Sequence, residues 1–311
     1  MAQITAAQVK ELREKSGAGM MDCKKALGEA DGDMEVAVDW LRTKGLAAAA
    51  KKAGRVAADG LVGLATSSDG LNGAVIEINA ETDFVARNET FQGFVSDCAG
   101  LALQANGDLA NLAGMAYPVA DGTVQEVLTN HVATIGENLQ LRRTASLSVT
   151  SGGVAGYIHS AIAPGLGKIA VIVALQSDGD AGKLGELARQ LAMHVAATKP
   201  EAVSTADLDP ELVERERTVL AEQARESGKP ENIIEKMVEG RLRKYYEEVV
   251  LAEQVFVIDG ENRISQVLEQ ASKDLGTPVT VAGFVRYGLG EGIDKKEEDF
   301  AAEVAAVAGA S

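Results

Sequence analysis

The chain has 311 residues, room for about two domains. Its 46 acidic residues against 30 basic ones give a net charge of −16, which argues against the chain itself gripping nucleic acid or an anionic membrane. Hydrophobic residues make up 46%, enough for a real core, but aromatics only 4%, so small packed units rich in helix are expected.

Taken in chain order, the first 55 residues read as helical. Thr5 and Gln8 stand at capping-box spacing, with Ile4 and Val9 placed as a hydrophobic staple. That helix is expected to reach Lys15 and to break at Gly17 and Gly19. Residues 20–30 read as a second helix. Asp33 is placed to cap a third, with Val36, Trp40 and Leu41 on one face and Gly45 after its end. Three such short helices make a marginal core alone, as docking modules do. An Ala/Lys stretch over 46–55 reads as a helical linker.

A pattern then occurs twice. "GLVGLATSSDGLNGAVIEIN" starts at Gly60, and "GVAGYIHSAIAPGLGKIAVIVAL" starts at Gly153, about 93 residues on. Each is a glycine-led strand, a turn and a second apolar strand, followed by a helix over 84–105 or 182–197. The reading is a duplicated α+β core with antiparallel sheets, each covered by helices on one side. "VTVAGFVRYGLGEG" from Val279 adds strand to the second copy. Asp209-Pro210 marks a helix start, and the 227–230 stretch a stop and a new start, so the segment 200–255 reads as an antiparallel helical hairpin. Residues 295–307 read as a last helix, with Phe300, Val304 and Val307 on one side.

Motifs for chemistry fail one by one. Cys23 and Cys98 make neither a disulfide framework nor a zinc site. In "APGLGKI" (163–169), the first glycine of a phosphate loop would fall at Ile162, and Lys168 is followed by isoleucine; a tight hairpin turn is expected instead. The glycines at 288–292 lack strand–glycine–helix order and read as a flexible connection. His131, His159 and His194 share no ligand spacing, and His194 on an otherwise apolar helix reads as packed and hydrogen-bonded. No carboxylate pair or nucleophile–base arrangement emerges, so catalysis is not supported and no cofactor or metal is expected. Neither a secretory leader nor a stretch of roughly 20 apolar residues is visible, so a soluble cytoplasmic protein is expected.

"ETDFVARN" (81–88) stands at a strand-to-helix junction. Phe84, Phe91 and Cys98 recur every seven residues, which places Phe84 on a core stripe. The competing reading has Thr82 capping the helix, Asp83 in its first turn, and Phe84 reaching past the core as an anchor for a partner. Met20-Met21, beside Lys10 and Arg13, reads equally as docking surface or as core.

Six segments in order, "LREKSGAGMMDCKKAL" (12–27), "AAKKAGRVAADG" (49–60), "TDFVARN" (82–88), "MHVAATKP" (193–200), "GKPENIIEKMVEGRLRKYYEE" (228–248) and "DFAAEVAA" (299–306), resemble bacterial elongation factor Ts. The stretch 107–123 matches nothing in that pattern, and the first hairpin helix is generic. The resemblance implies a ubiquitin-associated-like three-helix module with linker (1–55), core subdomain N (56–151), core subdomain C (152–199 and 256–292), an inserted coiled-coil hairpin (200–255) and a C-terminal helix (293–311). It implies a guanine nucleotide exchange factor, not an enzyme of covalent chemistry, that binds GDP-bound and nucleotide-free elongation factor Tu and promotes GDP release in translation. It assigns the contact to Thr82, Asp83, Phe84 and Val85, with Asp83 and Phe84 near the partner's magnesium site. Lys10, Arg13, Met20 and Met21 match the docking contacts, and Ile135, Gly136 and His194 match others. No nucleic acid or membrane contact is implied, and a homodimer through the hairpin is left open. The alternative on the residues alone is a coiled-coil scaffold or chaperone-like protein in which the hairpin is the active part.

Overall fold

The computed structural model describes residues 4–16, 18–226 and 230–294. Its first three helices are α1 (Ala6–Ser16), α2 (Met20–Glu29) and α3 (Met34–Lys52). The capping box is formed, with the Thr5 N–H donating to Gln8 Oε1 at 3.0 Å and the Gln8 N–H to Thr5 Oγ1 at 3.3 Å. Asp33 caps α3 by accepting the Val36 N–H at 3.0 Å. Leu12, Cys23, Leu27, Ala37 and Leu41 form the small core between the three helices. The expected break at Gly17 lies outside the described residues.

Two expectations for α3 are corrected. The helix does not end at Gly45; the presumed linker is its second half. Gly45 is buried against a later helix, where an added Cβ would lie 3.5 Å from Asn130 Oδ1, so this glycine marks a close helix–helix approach and not a stop. Val36 faces solvent, away from Leu41.

The core repeats one order of elements. The first copy runs β1 (Asp59–Thr66), β2 (Asn72–Ala80), α4 (Glu89–Gln104), α5 (Leu109–Gly114), α6 (Val124–Ile135) and β3 (Gln140–Ser148). The second runs β4 (Gly152–His159), a two-residue β5 (Leu166–Gly167), β6 (Ile169–Gln176), α7 (Ala181–Thr198), the hairpin helices α8 (Pro210–Arg225) and α9 (Glu231–Val249), α10 (Ile264–Leu275) and β7 (Thr280–Gly288). The sheets are ordered β3-β2-β1-β5 and β4-β6-β7, antiparallel throughout. In both, the middle strand meets the last one with a register shift, at Glu77/Ile78 and at Ala174/Leu175. The duplication therefore extends to α6–β3 and α10–β7, beyond the two hairpins seen in the sequence. "Val-Gln-Glu-Val-Leu" at 124–128 and "Ile-Ser-Gln-Val-Leu" at 264–268 open the matching helices.

The sheets stack face to face, and helices cover both outer faces. On β6, Ala170, Ile172 and Ala174 point into the layer between the sheets, with Val62, Val75 and Val154. Val171, Val173 and Leu175 point the other way, onto Leu184, Leu191 and Val195 of α7. On the first sheet, Ile76 and Ile78 face Phe91, Phe94 and Cys98 of α4. A strand buried on both faces needs an apolar run, which β6 has from Ile169 to Leu175; β2 has Ala74, Val75, Ile76 and Ile78 but buries Glu77 and Asn79 among them. The 163–166 segment is the expected tight turn, closed by Leu166 N–H to Ala163 O at 3.0 Å. In the hairpin, Ala224, Ile234, Val238 and Leu242 are buried between helices, and Val213 at the start of α8 meets Tyr245 and Tyr246 near the end of α9, so the two run antiparallel. The C-terminal helix expected over 295–307 lies outside the described residues.

One buried charge joins the two copies. Glu77 on β2 has no exposed surface. Its carboxylate pairs with Arg142 at 2.8 Å and Arg143 at 2.6 Å, and accepts from Asn79 Nδ2 at 3.0 Å and from the Gly290 N–H at 2.8 Å. Gly290 has φ +72, and a Cβ there would come within 2.4 Å of Ala58 O, so the 288–292 strap is a fitted part and not a loose connection. Burial alone would push the Glu77 carboxyl up; the Gly290 N–H, Asn79 and the two arginines outweigh it and hold the group below the usual glutamate value. Its contribution to stability is therefore complete above about pH 4.3 and is lost as pH falls toward the lower folded value. Glu77→Ala is expected to cost about 3–5 kcal/mol in chemical denaturation at neutral pH, since it strands two arginines, and to flatten the acid limb of the stability–pH curve. A loss under about 1 kcal/mol would show the cluster to be dispensable.

Candidate functional site

Strand β2 ends at Ala80, paired with Asp59, and the chain turns before α4 begins. Across 81–88 the side chains alternate in role. Glu81 Oε1 accepts the Asn138 N–H at 2.5 Å and meets Arg55 at 3.5 Å. Thr82 gives its N–H to Glu137 Oε2 at 2.9 Å and its hydroxyl to Glu137 Oε1 at 2.6 Å. Asp83 and Phe84 face solvent, Phe84 with 76% of its surface exposed. Val85 and Ala86 are buried in the core beneath them. A single 3-10 turn, Val85–Arg87, follows, and Asn88 in extended conformation caps α4 by accepting the Phe91 N–H at 3.1 Å.

This geometry corrects the helix boundary. Helix α4 starts at Glu89 under an Asn88 cap; Thr82 caps nothing and is held by Glu137 instead. The extended Asn88 resets the phase of the chain, so Phe84 leaves the stripe that Phe91 and Cys98 share. Those two have no exposed surface. The core-stripe reading of Phe84 fails on this point. Val85, expected among the contacts, is only 4% exposed and serves as the plug under the turn.

The neighbouring candidates are placed as follows. Gly136 ends α6 in the left-handed conformation at φ 90, with half-buried Ile135 packed on the core before it. Of the two residues after Gly136, Glu137 accepts the Thr82 N–H and Asn138 donates its N–H to the Glu81 carboxylate, so the 135–138 and 81–88 turns form one structure. Met20 and Met21 are 61% and 75% exposed on α2, which decides their side of the core-or-surface alternative. Lys10 and Arg13 are exposed on α1. Arg13 lines one cleft of about 670 Å³ together with Asn88, Phe94, His131 and Ile135. Contacts of Arg42 with Glu126 at 2.9 Å and of Lys52 Nζ with Val132 O at 3.3 Å fix the helical module to α6 above that cleft.

His194 is not part of this group. It lies on α7, with both sheets between it and α4, and has no exposed surface. Its Nδ1 faces the Val257 N–H at 3.3 Å and its Nε2 faces Gln254 Oε1 at 2.8 Å, so the ring is neutral with the proton on Nε2. Burial pushes its pKa down, and the Gln254 bond only partly offsets this. Its side chain is a packed, satisfied one, as its apolar helix suggested. What reaches solvent beside it is Val255, Val257 and Ile258 at 46–50% exposure, an apolar strip that the sequence reading left unassigned although "Val-Phe-Val-Ile" at 255–258 signals it.

Among the described residues no three His, Cys, Asp or Glu side chains are grouped to hold a metal ion. No helix among them is long and apolar enough to cross a membrane.

A sequence model described as Elongation factor TS matches residues 81–291, starting at the first residue of the turn. The elongation factor Ts of Rhodospirillum rubrum is 64% identical over 98% of this chain and 99% of its own. Those of Rhodospirillum centenum and Bartonella bacilliformis are 63% and 55% identical, again over nearly the whole of both chains. The chain belongs to the elongation factor Ts family. It is thereby a translation elongation factor, and its place is in protein biosynthesis. The full-length agreement with other elongation factor Ts chains takes in the helical module, which precedes the 81–291 match.

Sequence reasoning missed Glu81, Asn88, Glu137, Asn138 and Arg55 as the residues that shape the turn. Only Asn88, a good cap residue ahead of an apolar stripe, carried a local signal. The exposure of Phe84 has a direct consequence. Phe84→Ala is expected to shift unfolding free energy by less than about 0.5 kcal/mol, while Phe91→Ala costs about 3–5 kcal/mol. Equal losses in urea denaturation would put Phe84 back in the core.

Proposed function

We propose that this chain is a guanine nucleotide exchange factor for elongation factor Tu, acting in the cytoplasm without covalent chemistry. The observation that carries the reading is Phe84, an aromatic left in solvent beside Asp83 on a turn plugged by Val85 and Ala86. A rigid, exposed aromatic next to a carboxylate is the form of a binding anchor. Burial of Phe84 in a partner supplies on the order of 2 kcal/mol. Asp83 enters the surroundings of the partner's magnesium ion, whose octahedral demands leave little tolerance for a new charge. Stabilising the opened GTPase weakens its nucleotide, and by linkage nucleotide weakens the complex, which lets the factor turn over.

The helical module supplies docking. Lys10, Arg13, Met20 and Met21 are all exposed, and methionines adapt to a partner's shape. Ile135 and Gly136 extend the contact beside the turn. His194 contributes by holding the 254–258 loop, whose apolar residues form a second contact on the other copy. The same division assigns the core to subdomains N (56–151) and C (152–199 and 256–292), with the hairpin (200–255) as an insertion. GDP-bound and nucleotide-free partner are both bound, the latter more tightly.

Release of a fluorescent GDP analogue from elongation factor Tu tests this. The chain is expected to accelerate release, and Phe84→Ala or Asp83→Ala to lower the acceleration by about tenfold or more. A variant with the hairpin shortened is expected to keep most of it. Acceleration that ignores both substitutions and disappears with the hairpin would overturn the reading in favour of a coiled-coil scaffold.

A further inference from the structure

We propose that Glu137, paired with Glu81, is the positioning device for Asp83 and Phe84, and that it ties their orientation to the helical docking module. The proposal rests on the exchange reading above. Among the described residues, the Asp83 and Phe84 side chains make no hydrogen bond, ion pair or ring contact, so only the backbone on either side directs them. On the C-terminal side the buried Val85 and Ala86 and the Asn88 cap fix the chain. On the N-terminal side the last group held before the tip is Thr82, and both of its donors go to the one carboxylate of Glu137.

That carboxylate comes from a turn 55 residues away in sequence. The relation is reciprocal. Glu137 takes the backbone of the 81–84 turn at Thr82, and Glu81 takes the backbone of the 136–138 turn at the Asn138 N–H. Hydrogen bonds to ionised acceptors are shorter and stronger than neutral ones, and two on one residue fix its rotation as well as its position. A third element closes the joint. The Asn138 side-chain amide donates to Arg55 O at 2.7 Å, and the Arg55 guanidinium meets Glu81. Arg55 lies three residues beyond the end of α3, the long helix that belongs to the docking module. The tip therefore enters a partner in an orientation already set relative to the surface that docks, and its ordering is not charged against binding.

A brace that merely holds the fold would behave differently, and the full-length chain can tell the two apart. Three readouts are needed: the maximal rate of GDP release at saturating factor, the factor concentration for half that rate, and hydrogen exchange of the Thr82 amide. Glu137→Ala is expected to lower the maximal rate about tenfold, to leave the half-saturating concentration within about twofold, and to speed Thr82 amide exchange while the β2 amides keep their protection. Glu137→Gln, whose amide oxygen still accepts the Thr82 N–H, is expected to recover most of the rate. Thr82→Val, which keeps the N–H and loses the hydroxyl, is expected to fall between. A normal maximal rate in Glu137→Ala overturns the inference while leaving the exchange reading intact. A loss of rate accompanied by loss of protection throughout the first sheet also overturns it, because the residue would then be a structural brace. Wild-type chain that fails to accelerate release sinks the exchange reading, and the positioning role with it.

Discussion

A carboxylate with no exposed surface has to be surrounded by donors, and Glu77 draws its donors from both copies of the core. Arg142, Arg143 and Asn79 come from the first sheet, and the Gly290 N–H comes from the strap after the last strand of the second. Arg143 also lies over the Tyr287 ring at 4.2 Å and donates to Gly288 O, so the same side chain touches β7 twice. The apolar layer between the sheets is non-directional and would tolerate sliding. The charge cluster is directional and sets their register. Glu77 sits at the register shift of β2 against β3, three residues before the strand ends. The turn that carries Asp83 and Phe84 is thus built on the most strongly fixed part of the sheet.

The duplication explains why the two copies do different things. In each, the middle strand leads directly to the helix on the outer face. In the second copy that link is the short stretch 177–180, with Asp180 capping α7. In the first it is longer, 81–88, and within it Asp83 and Phe84 face solvent while Val85 and Ala86 are buried. The second copy is elaborated elsewhere, by the hairpin between α7 and α10. Arg263, at the start of α10, meets Glu247 of α9 and Glu253 at 2.5 and 2.6 Å and fixes the hairpin's base. The first copy carries the tip and the second the arm, and an antiparallel sheet from each is stacked between them.

Much of this was legible from residues alone, wherever cause and effect lie close in sequence. The caps at Thr5, Asp33 and Asp209, the antiparallel hairpin, and the glycine-led strands are local events, and the structure has them. Gly45 misled because glycine has two uses, a helix stop and a close approach, and only the neighbour at Asn130 tells which applies. Strand β3 is missed because Arg142 and Arg143 make it look like surface; their partner Glu77 is 65 and 66 residues away. Phe84 fell on a seven-residue spacing by coincidence, since the extended Asn88 breaks the helix that the spacing assumes. The Glu137–Thr82 clamp leaves no trace in either segment's pattern, because neither residue needs the other until the fold brings them together. Periodicity does not single out Asp83 and Phe84; the resemblance to the elongation factor Ts family does.

On the proposed function, the exposed Phe84 of the first sheet becomes buried in the GTPase on binding. Replacing Phe84 by 4-fluorophenylalanine, with a second sample labelled at Phe91, makes this directly observable by fluorine NMR with a soluble paramagnetic agent. Free in solution, the label at 84 is expected to be broadened strongly and the one at 91 hardly at all. On addition of nucleotide-free elongation factor Tu, the account predicts that the label at 84 shifts and becomes protected while the label at 91 does not change. A label at 84 that stays fully accessible in the saturated complex would contradict it.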